Sequence, residues 1–404
     1  MTELVLEPAT MAAGGAALGR DADGRVVFVE GALPGERVRA RVTEARKDFA
    51  RAVTVEVLEP SPDRVAPPCA ALAAGCGGCT WQHVSPAAQT RLKAEIVVDA
   101  LRRIAKLAAP PAPAAVPLDG PAQRTTARLA VSPATGRAGH RPRAGSGAVE
   151  TDACLAAHPL LEELIVAGRY LGAGEVLLRV SVATRERLVV VDRAADRVQV
   201  PEGVAVVQES DRRPAFVHEE VGGRRFRVSA GSFFQAGPVV AEALVTAVDA
   251  AVGDALAEGG VLVDLYAGVG LFASTIGARR RATVVAVESD RAAVADARVN
   301  LGDLHAAVIG CEVGRWRSTP ADVVVADPSR SGLGRPGAGA VAAAGPARVV
   351  LVSCDPASLA RDTVLLDRAG YRLASVALVD AFPHTFHVET VSTFDRWGPS
   401  GSLQ

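Results

Sequence analysis

A thiol and a carboxylate near the C-terminus are spaced for a shared chemical task. Cys354 stands in Val350-Leu351-Val352-Ser353-Cys354-Asp355-Pro356, just past a short apolar run and just before the breaker Asp-Pro. Glu389 follows in His384-Thr385-Phe386-His387-Val388-Glu389-Thr390, a lone acid among β-formers. Both positions lie close to a strand. A thiol nucleophile and a carboxylate base on neighbouring elements of one sheet form a chemical pair, suited to covalent attack and proton abstraction.

Three further groups of residues carry chemical signals. Asp264-Leu265-Tyr266-Ala267-Gly268-Val269-Gly270 is a glycine turn between a strand and a helix. There the backbone at Gly268 and Gly270 can approach a bound nucleoside. Glu288 ends the next strand and can accept from both ribose hydroxyls. Asp327, in Asp327-Pro328-Ser329-Arg330-Ser331-Gly332-Leu333, follows a strand and points toward the crevice where such sheets bind ligands. Cys69, Cys76 and Cys79 surround a Gly-Gly turn, and Cys154 is the one other cysteine in the first 300 residues. Four thiols suit zinc or a [4Fe–4S] cluster, and the spacing alone leans toward zinc. Ser232-Phe233-Phe234-Gln235 offers aromatic and amide groups, although its phenylalanines read first as core. Cys311, after Gly310, reads as structural.

The elements that must position these groups follow from periodicity. From residue 226 onward, strands near 261–264, 283–287, 323–326 and 348–352 alternate with helices at 238–257 and 290–300, which predicts a doubly wound parallel sheet. Residues 1–60 alternate as short strands at 25–29, 36–42 and 52–58 with turns between them, which predicts a small β-barrel. Its arginines Arg37, Arg39, Arg41, Arg46 and Arg51, with Lys47, suit phosphate contact or a solvated strand face equally. Prolines at 60, 62, 67 and 68 mark a boundary, and a helix is expected over 86–107, closed by a breaker at 108–117. Short strands at 127–131, 176–182 and 188–191 make residues 61–225 a central α+β domain. Its stretch from Arg124 to Arg143 holds five arginines and no acid.

Composition bounds the function. The 404 residues call for two or three domains, and 49% apolar with 22% charged residues fits a folded protein. A net charge of −1 excludes a uniformly cationic nucleic-acid coat and leaves room for local basic patches. The first residues lack a signal-peptide pattern, and no apolar run reaches the roughly 18 residues of a membrane helix. A cytoplasmic protein in a reducing compartment is therefore expected, with no membrane association and with cysteines serving metals or catalysis.

Taken in order, these motifs resemble the RNA uracil-5-methyltransferase family, in its subgroup with an N-terminal TRAM domain and a four-cysteine iron–sulfur cluster. The similar segments are Gly35-Glu36-Arg37-Val38, Lys47-Asp48-Phe49-Ala50, Cys69 to His83, and Cys154 to Pro159. They continue with Ser232 to Gln235, Asp264 to Gly270, Asp327 to Leu333, Val352 to Pro356, and Phe382 to Glu389. The resemblance implies a TRAM, OB-like barrel over 1–60 and a central domain over 61–225. It also implies a class I, Rossmann-like methyltransferase domain over 226–404. It implies that Cys69, Cys76, Cys79 and Cys154 bind a [4Fe–4S] cluster, overturning the lean toward zinc. It implies that Gln235, Tyr266, Gly268, Gly270, Glu288, Glu312 and Asp327 line the S-adenosyl-L-methionine and uracil site, with Cys354 as nucleophile and Glu389 as base.

The implied partner is RNA, with large-subunit (23S) rRNA ahead of tRNA, and monomeric action on it is expected. Three positions depart from the family pattern. Leu271 replaces a common Asn, Ser329 a common Pro or Ala, and Asp355 the usual Asn, a charge expected to raise the pKa of the neighbouring thiol. A nucleotide-dependent oxidoreductase would leave Cys354 and Glu389 without a role. A non-catalytic RNA-binding or assembly factor would not need that pair.

Overall fold

The computed structural model describes residues 2–397 apart from 122, 144 and 212–214. At the N-terminus, alternation of small apolar and polar residues gives strands Glu3–Leu6, Thr10–Met11, Ala17–Arg20, Val26–Glu30, Arg37–Ala45 and Phe49–Glu59. They join in one six-stranded sheet in the order first, fifth, sixth, fourth, third, second. Val27, Val29, Val38, Ala40, Ala50 and Ala52 point to its buried side. Glu36, just before the fifth strand, is 1% exposed. Its carboxylate accepts from the Leu33 and Ser61 amides at 2.8 and 3.2 Å and pairs with Arg64, tying the barrel's end to the chain that leaves it. The outward arginines Arg37 and Arg39 meet Glu59 and Glu56 in exposed pairs.

Helix α1 (Pro86–Arg103) begins with Pro in its first turn, where a missing N–H costs nothing, and stops short of the expected 107. One stripe of α1, Ala88, Leu92 and Ile96, packs into the barrel core. Another, Val97, Ala100 and Leu101, packs into the core of the C-terminal sheet. The central segment forms a five-stranded sheet from Ala138–Gly139, Thr126–Val131, Glu175–Val180, Arg187–Val191 and Val204–Gln208, backed by α2 (Pro159–Ala167). A hairpin, Phe216–Val221 with Arg224–Ser229, then leads to α3 (Pro238–Val252). This helix ends at Gly253, which takes φ +49°, rather than running to 257.

The C-terminal sheet has eight strands, in the order Ala306–Gly310, Thr283–Glu288, Val261–Leu265, Val323–Ala326, Arg348–Ser353, Glu389–Arg396, Tyr371–Val379 and Ala114–Val116. The first five are parallel, as the helix-alternating pattern requires. The expectation of a wholly parallel sheet is corrected at its far side, where Glu389–Arg396 runs antiparallel to both neighbours. Residues 380–388 return the chain directly from one strand to the next, and such a short connection permits only an antiparallel pair. Ala114–Val116, expected to be part of a breaker, adds a parallel edge strand. Helices α3, α4 (Leu271–Arg280) and α5 (Arg291–Asn300) cover one face of the sheet. Helices α6 (Gly334–Ala344) and α7 (Pro356–Arg368) join α1 on the other. No helix of the described residues is long and apolar enough to cross a membrane.

Candidate active site

At the end of the antiparallel ladder Ser353 faces Thr390, whose hydroxyl donates to the Ser353 carbonyl at 3.1 Å. Cys354 follows Ser353 in the bend that closes the strand and Glu389 precedes Thr390, so the end of the ladder brings the two together, close enough for the Glu389 charge to act on the thiol. Cys354 is half-buried and Glu389 is 5% exposed. Burial pushes the Cys354 thiol up to about 11, with the charges of Glu389 and Asp327 adding to it and Arg330 opposing. Burial, then the Asp327 charge, holds the Glu389 carboxyl well above the usual carboxylate range, again against Arg330. Asp327 is raised too, chiefly by burial, although the Gln235 amide donates to it at 3.2 Å. Two acids and one thiol thus crowd a largely buried corner, and Arg330 is the cation that opposes the shifts of Cys354 and Glu389.

Asp355 does not act as expected. Its carboxylate caps α7, accepting from the Ser358 amide at 2.7 Å and the Ser358 hydroxyl at 3.0 Å. The side chain is thereby turned into the helix end, and the charges that raise the thiol come from Glu389 and Asp327 instead. Leu271 opens α4 with its side chain 5% exposed, so it packs rather than offering a polar contact. The Ser329 hydroxyl lies 2.9 Å from that of Ser331.

Beside this corner lies a cleft of about 460 Å³ lined by Tyr266, Glu288, Cys311, Glu312, Ser329 and Leu333, among others. Gly268 and Gly270 have φ of +55° and +89°, and a Cβ at Gly268 would meet nothing within 4 Å, so the loop presents bare backbone. Glu288 is fixed at its strand end by amides of Gly268 at 2.9 Å, Ser289 at 2.6 Å and Asp290 at 2.7 Å. Tyr266 takes φ +60°, unusual for a bulky side chain, and its hydroxyl donates to the Leu333 carbonyl at 3.4 Å. Asp264 is fully buried beneath the loop and accepts from the Ala273 amide at 2.8 Å, with burial pushing its carboxyl up to about 8. Glu312 lies on the cleft's outer side, within 3.6 Å of Arg315. The fixed Glu288 carboxylate on the cleft, with the bare backbone of Gly268 hydrogen-bonded to it, fits a nucleoside.

Gln235 reaches the site on a loop clamped from two sides. Buried Asp296 of α5 accepts from the Ser229 amide and hydroxyl, the Ser232 hydroxyl and the Arg227 guanidinium, all at 2.7–2.8 Å. Arg179 of the central sheet donates to the Ser229 and Ser232 carbonyls at 3.0 and 2.6 Å. The two phenylalanines then separate. Phe234 packs toward Phe226 in the core, whereas Phe233 is 72% exposed. An exposed aromatic beside a buried amide is a signal that reading both rings as core had missed. Arg330 was likewise given no role, although it lies within the quoted motif.

The cysteines of the first half share one neighbourhood. Burial raises the Cys79 thiol, with Cys76 and Cys69 adding, and burial raises Cys154, with Cys79 and Cys76 adding. Among the described residues, however, no group of three or more Cys, His, Asp or Glu side chains is arranged to hold a metal ion. The four thiols are gathered without being drawn into a coordination shell.

The sequence matches the TRAM domain model over residues 4–55. It is 35% identical to the 23S rRNA (uracil(1939)-C(5))-methyltransferase RlmD of Alkalilimnicola ehrlichii, an alignment covering 93% of this chain and 92% of that protein. It is also 35% identical to an uncharacterized RNA methyltransferase of Streptomyces avermitilis, covering 97% and 98%. The fold superposes on the tRNA (uracil-54, C5)-methyltransferase of Pyrococcus abyssi with a TM-score of 0.71 at 23% identity, covering 96% of this chain and 99% of that one. With the thiol–carboxylate corner, the nucleoside cleft and the N-terminal barrel in place, these likenesses decide the matter: the chain belongs to the RNA uracil-C5-methyltransferase family.

Proposed function

We propose that this protein methylates C5 of a uridine in RNA, with large-subunit rRNA as substrate, and that Cys354 and Glu389 carry the chemistry. The observation that carries the reading is that the end of the ladder, at the Ser353–Thr390 pair, brings them together. Uracil C5 is a poor nucleophile. The Cys354 sulfur adds to C6, making an enolate whose electrons sit at C5. Tyr266, Gly268, Gly270, Glu288 and Glu312 would hold S-adenosylmethionine, which would supply the methyl group that C5 takes as the sulfonium S–CH3 bond breaks and S-adenosylhomocysteine leaves. Glu389 then takes the C5 proton, the C5–H electrons rebuild the C5–C6 double bond, and the C6–S bond breaks to free the thiolate.

Gln235 and Asp327 hold the uracil edge beside the thiol. A uridine in a stacked helix must swing out to reach this corner, and Phe233 is placed to stack on a base as it does so. A thiol pushed up to about 11 is protonated at neutral pH, so the enzyme at rest is unreactive. Attack therefore requires the thiol proton to leave as the sulfur adds to C6, with the Arg330 charge favouring the thiolate.

The rRNA assignment rests on the 35% identity to the named rRNA enzyme across nearly the whole chain. The protein is incubated with unmodified bulk RNA and methyl-labelled S-adenosylmethionine, and rRNA is separated from tRNA before counting. Label as 5-methyluridine in large-subunit rRNA is expected, and label confined to tRNA would replace the substrate and keep the chemistry. Cys354→Ala is expected to abolish labelling while cofactor binding, measured by calorimetry, persists.

Cys69, Cys76, Cys79 and Cys154 are the residues that would hold a [4Fe–4S] cluster in the same protein. Four neighbouring thiols fit that donor set. A cluster there gives structural rigidity, since the methylation transfers no net electrons. Iron and acid-labile sulfide in anaerobically purified protein would support it, and stoichiometric zinc would replace it.

A further inference from the structure

Glu389 is delivered by a loop, residues 380–388, whose anchors come from the other end of the chain. The Lys93 side chain on α1 is fully buried. Its ammonium donates to the Asp380 carboxylate at 2.6 Å and to the Phe382 carbonyl at 2.9 Å. One turn earlier, Thr90 donates to the other Asp380 oxygen at 3.1 Å. The Gln89 side-chain carbonyl accepts from the His384 amide at 2.6 Å, and its amide group donates to the Val84 carbonyl at 2.9 Å. The Trp81 amide donates to the His384 carbonyl at 2.7 Å, fixing His384 at φ +61°. The loop is therefore hydrogen-bonded to four residues outside its own sheet, three donating to it and Gln89 accepting from it, before it becomes the strand that begins at Glu389.

A buried ammonium is costly unless paired, and removing its partner leaves that cost uncompensated. The chain keeps Lys93 in a position that an apolar helix residue would fill more simply, and its ammonium is spent on Asp380 and Phe382, neither of which takes part in the chemistry. We propose that Lys93 is a positioning residue for the base, holding the loop at Asp380 and Phe382 so that the Glu389 carboxylate meets the C5 proton. This rests on the reading of Cys354 and Glu389 as nucleophile and base. It also specifies which half of the reaction Lys93 serves. Attack by Cys354 needs only the neighbouring strand Arg348–Ser353, so a misplaced loop leaves bond formation at C6 intact. Proton removal, and with it the breaking of the C6–S bond, is what fails.

The test is accumulation of a denaturant-resistant enzyme–RNA adduct. Lys93→Met is compared with wild type and with Glu389→Gln, using substrate RNA and S-adenosylmethionine and separating the products on a denaturing gel. The expected result is turnover lower by about a hundred-fold, the scale of a base displaced by an ångström, with the adduct increased as in Glu389→Gln and cofactor affinity unchanged. Since Lys93→Met strands Asp380, the double variant Lys93→Met/Asp380→Leu removes both charges, and it is expected to recover thermal stability while still accumulating adduct. Lost turnover without adduct, or unchanged turnover, overturns the assignment, as does failure of both variants to fold, which would make the pair a folding element only. Absence of adduct from Glu389→Gln would sink the underlying base assignment instead.

Discussion

At the scale of single residues, the site is governed by negative charge kept out of water. Asp327 makes the ionisation of both Glu389 and Cys354 harder, Glu389 adds to the effect on the thiol, and burial is the largest cause for all three groups. Replacing Glu389 by Gln removes an anion beside the thiol, so the Cys354 pKa should fall. Alkylation by iodoacetamide, followed from pH 7 to 11, should then reach half its maximal rate at lower pH than in wild type. Asp355 provides the contrast. Asp355→Asn should leave that alkylation profile in place and keep the cap, whereas Asp355→Ala should cost about 1 kcal/mol of stability in urea titration. The sequence displayed Cys354, Asp355 and Glu389 plainly, but it did not show where the Asp355 carboxylate turns. Adjacency in sequence suggested a charge on the thiol, whereas the helix beginning at Pro356 offered that carboxylate an amide and a hydroxyl.

At the scale of elements, the reactive corner is the end of a ladder and the cofactor cleft is the end of the parallel strands. The strands at 261–265, 283–288, 323–326 and 348–353 were legible because each holds three or more consecutive apolar residues leading into a turn, as buried parallel strands do. Edge strand Ala114–Val116 was not, since its three small residues between prolines carry no pattern of their own and pair through backbone alone. The Asp296 clamp on the Ser229–Ser232 turn was equally hidden, because its partners are more than sixty residues away. Asp296→Ala would strand the buried donors Ser229 and Ser232 and free Arg227 from its partner. A loss of about 3 kcal/mol is expected by urea titration, together with weakened RNA labelling as Gln235 loses its support.

At the scale of the whole molecule, α1 makes the N-terminal barrel and the C-terminal sheet mechanically dependent. One helix contributes Leu92 and Ile96 to the first core and Val97 and Leu101 to the second. Its amphipathic pattern was readable in the sequence. That it has two apolar stripes facing two different cores was not, since periodicity reports that a face is buried and not against what. Fluorescence from Trp81, which lies against both the barrel and the 380–388 loop, should therefore report one cooperative urea transition coincident with loss of helical signal. A separate early transition would show the barrel to be independent. Gly15 adds a second tie, because a Cβ there would come within 2.6 Å of the Phe386 ring, and its φ of +85° disfavours any side chain. Gly15→Ala should lower the midpoint of that same transition.

The ladder that joins Cys354 to Glu389 has a consequence for how this enzyme can change over generations. Thirty-five peptide bonds separate the two groups along the chain, but their meeting is set by the backbone pairing of Ser353 with Thr390. Helix α7 and the strand after it can therefore gain or lose residues, provided the insertion is absorbed before Thr390 and the pairing is kept. A shift of a single residue in that pairing would be different in kind, turning the carboxylate to the opposite side of the sheet and leaving the thiol without a base. Length is negotiable between these two residues, and parity is not.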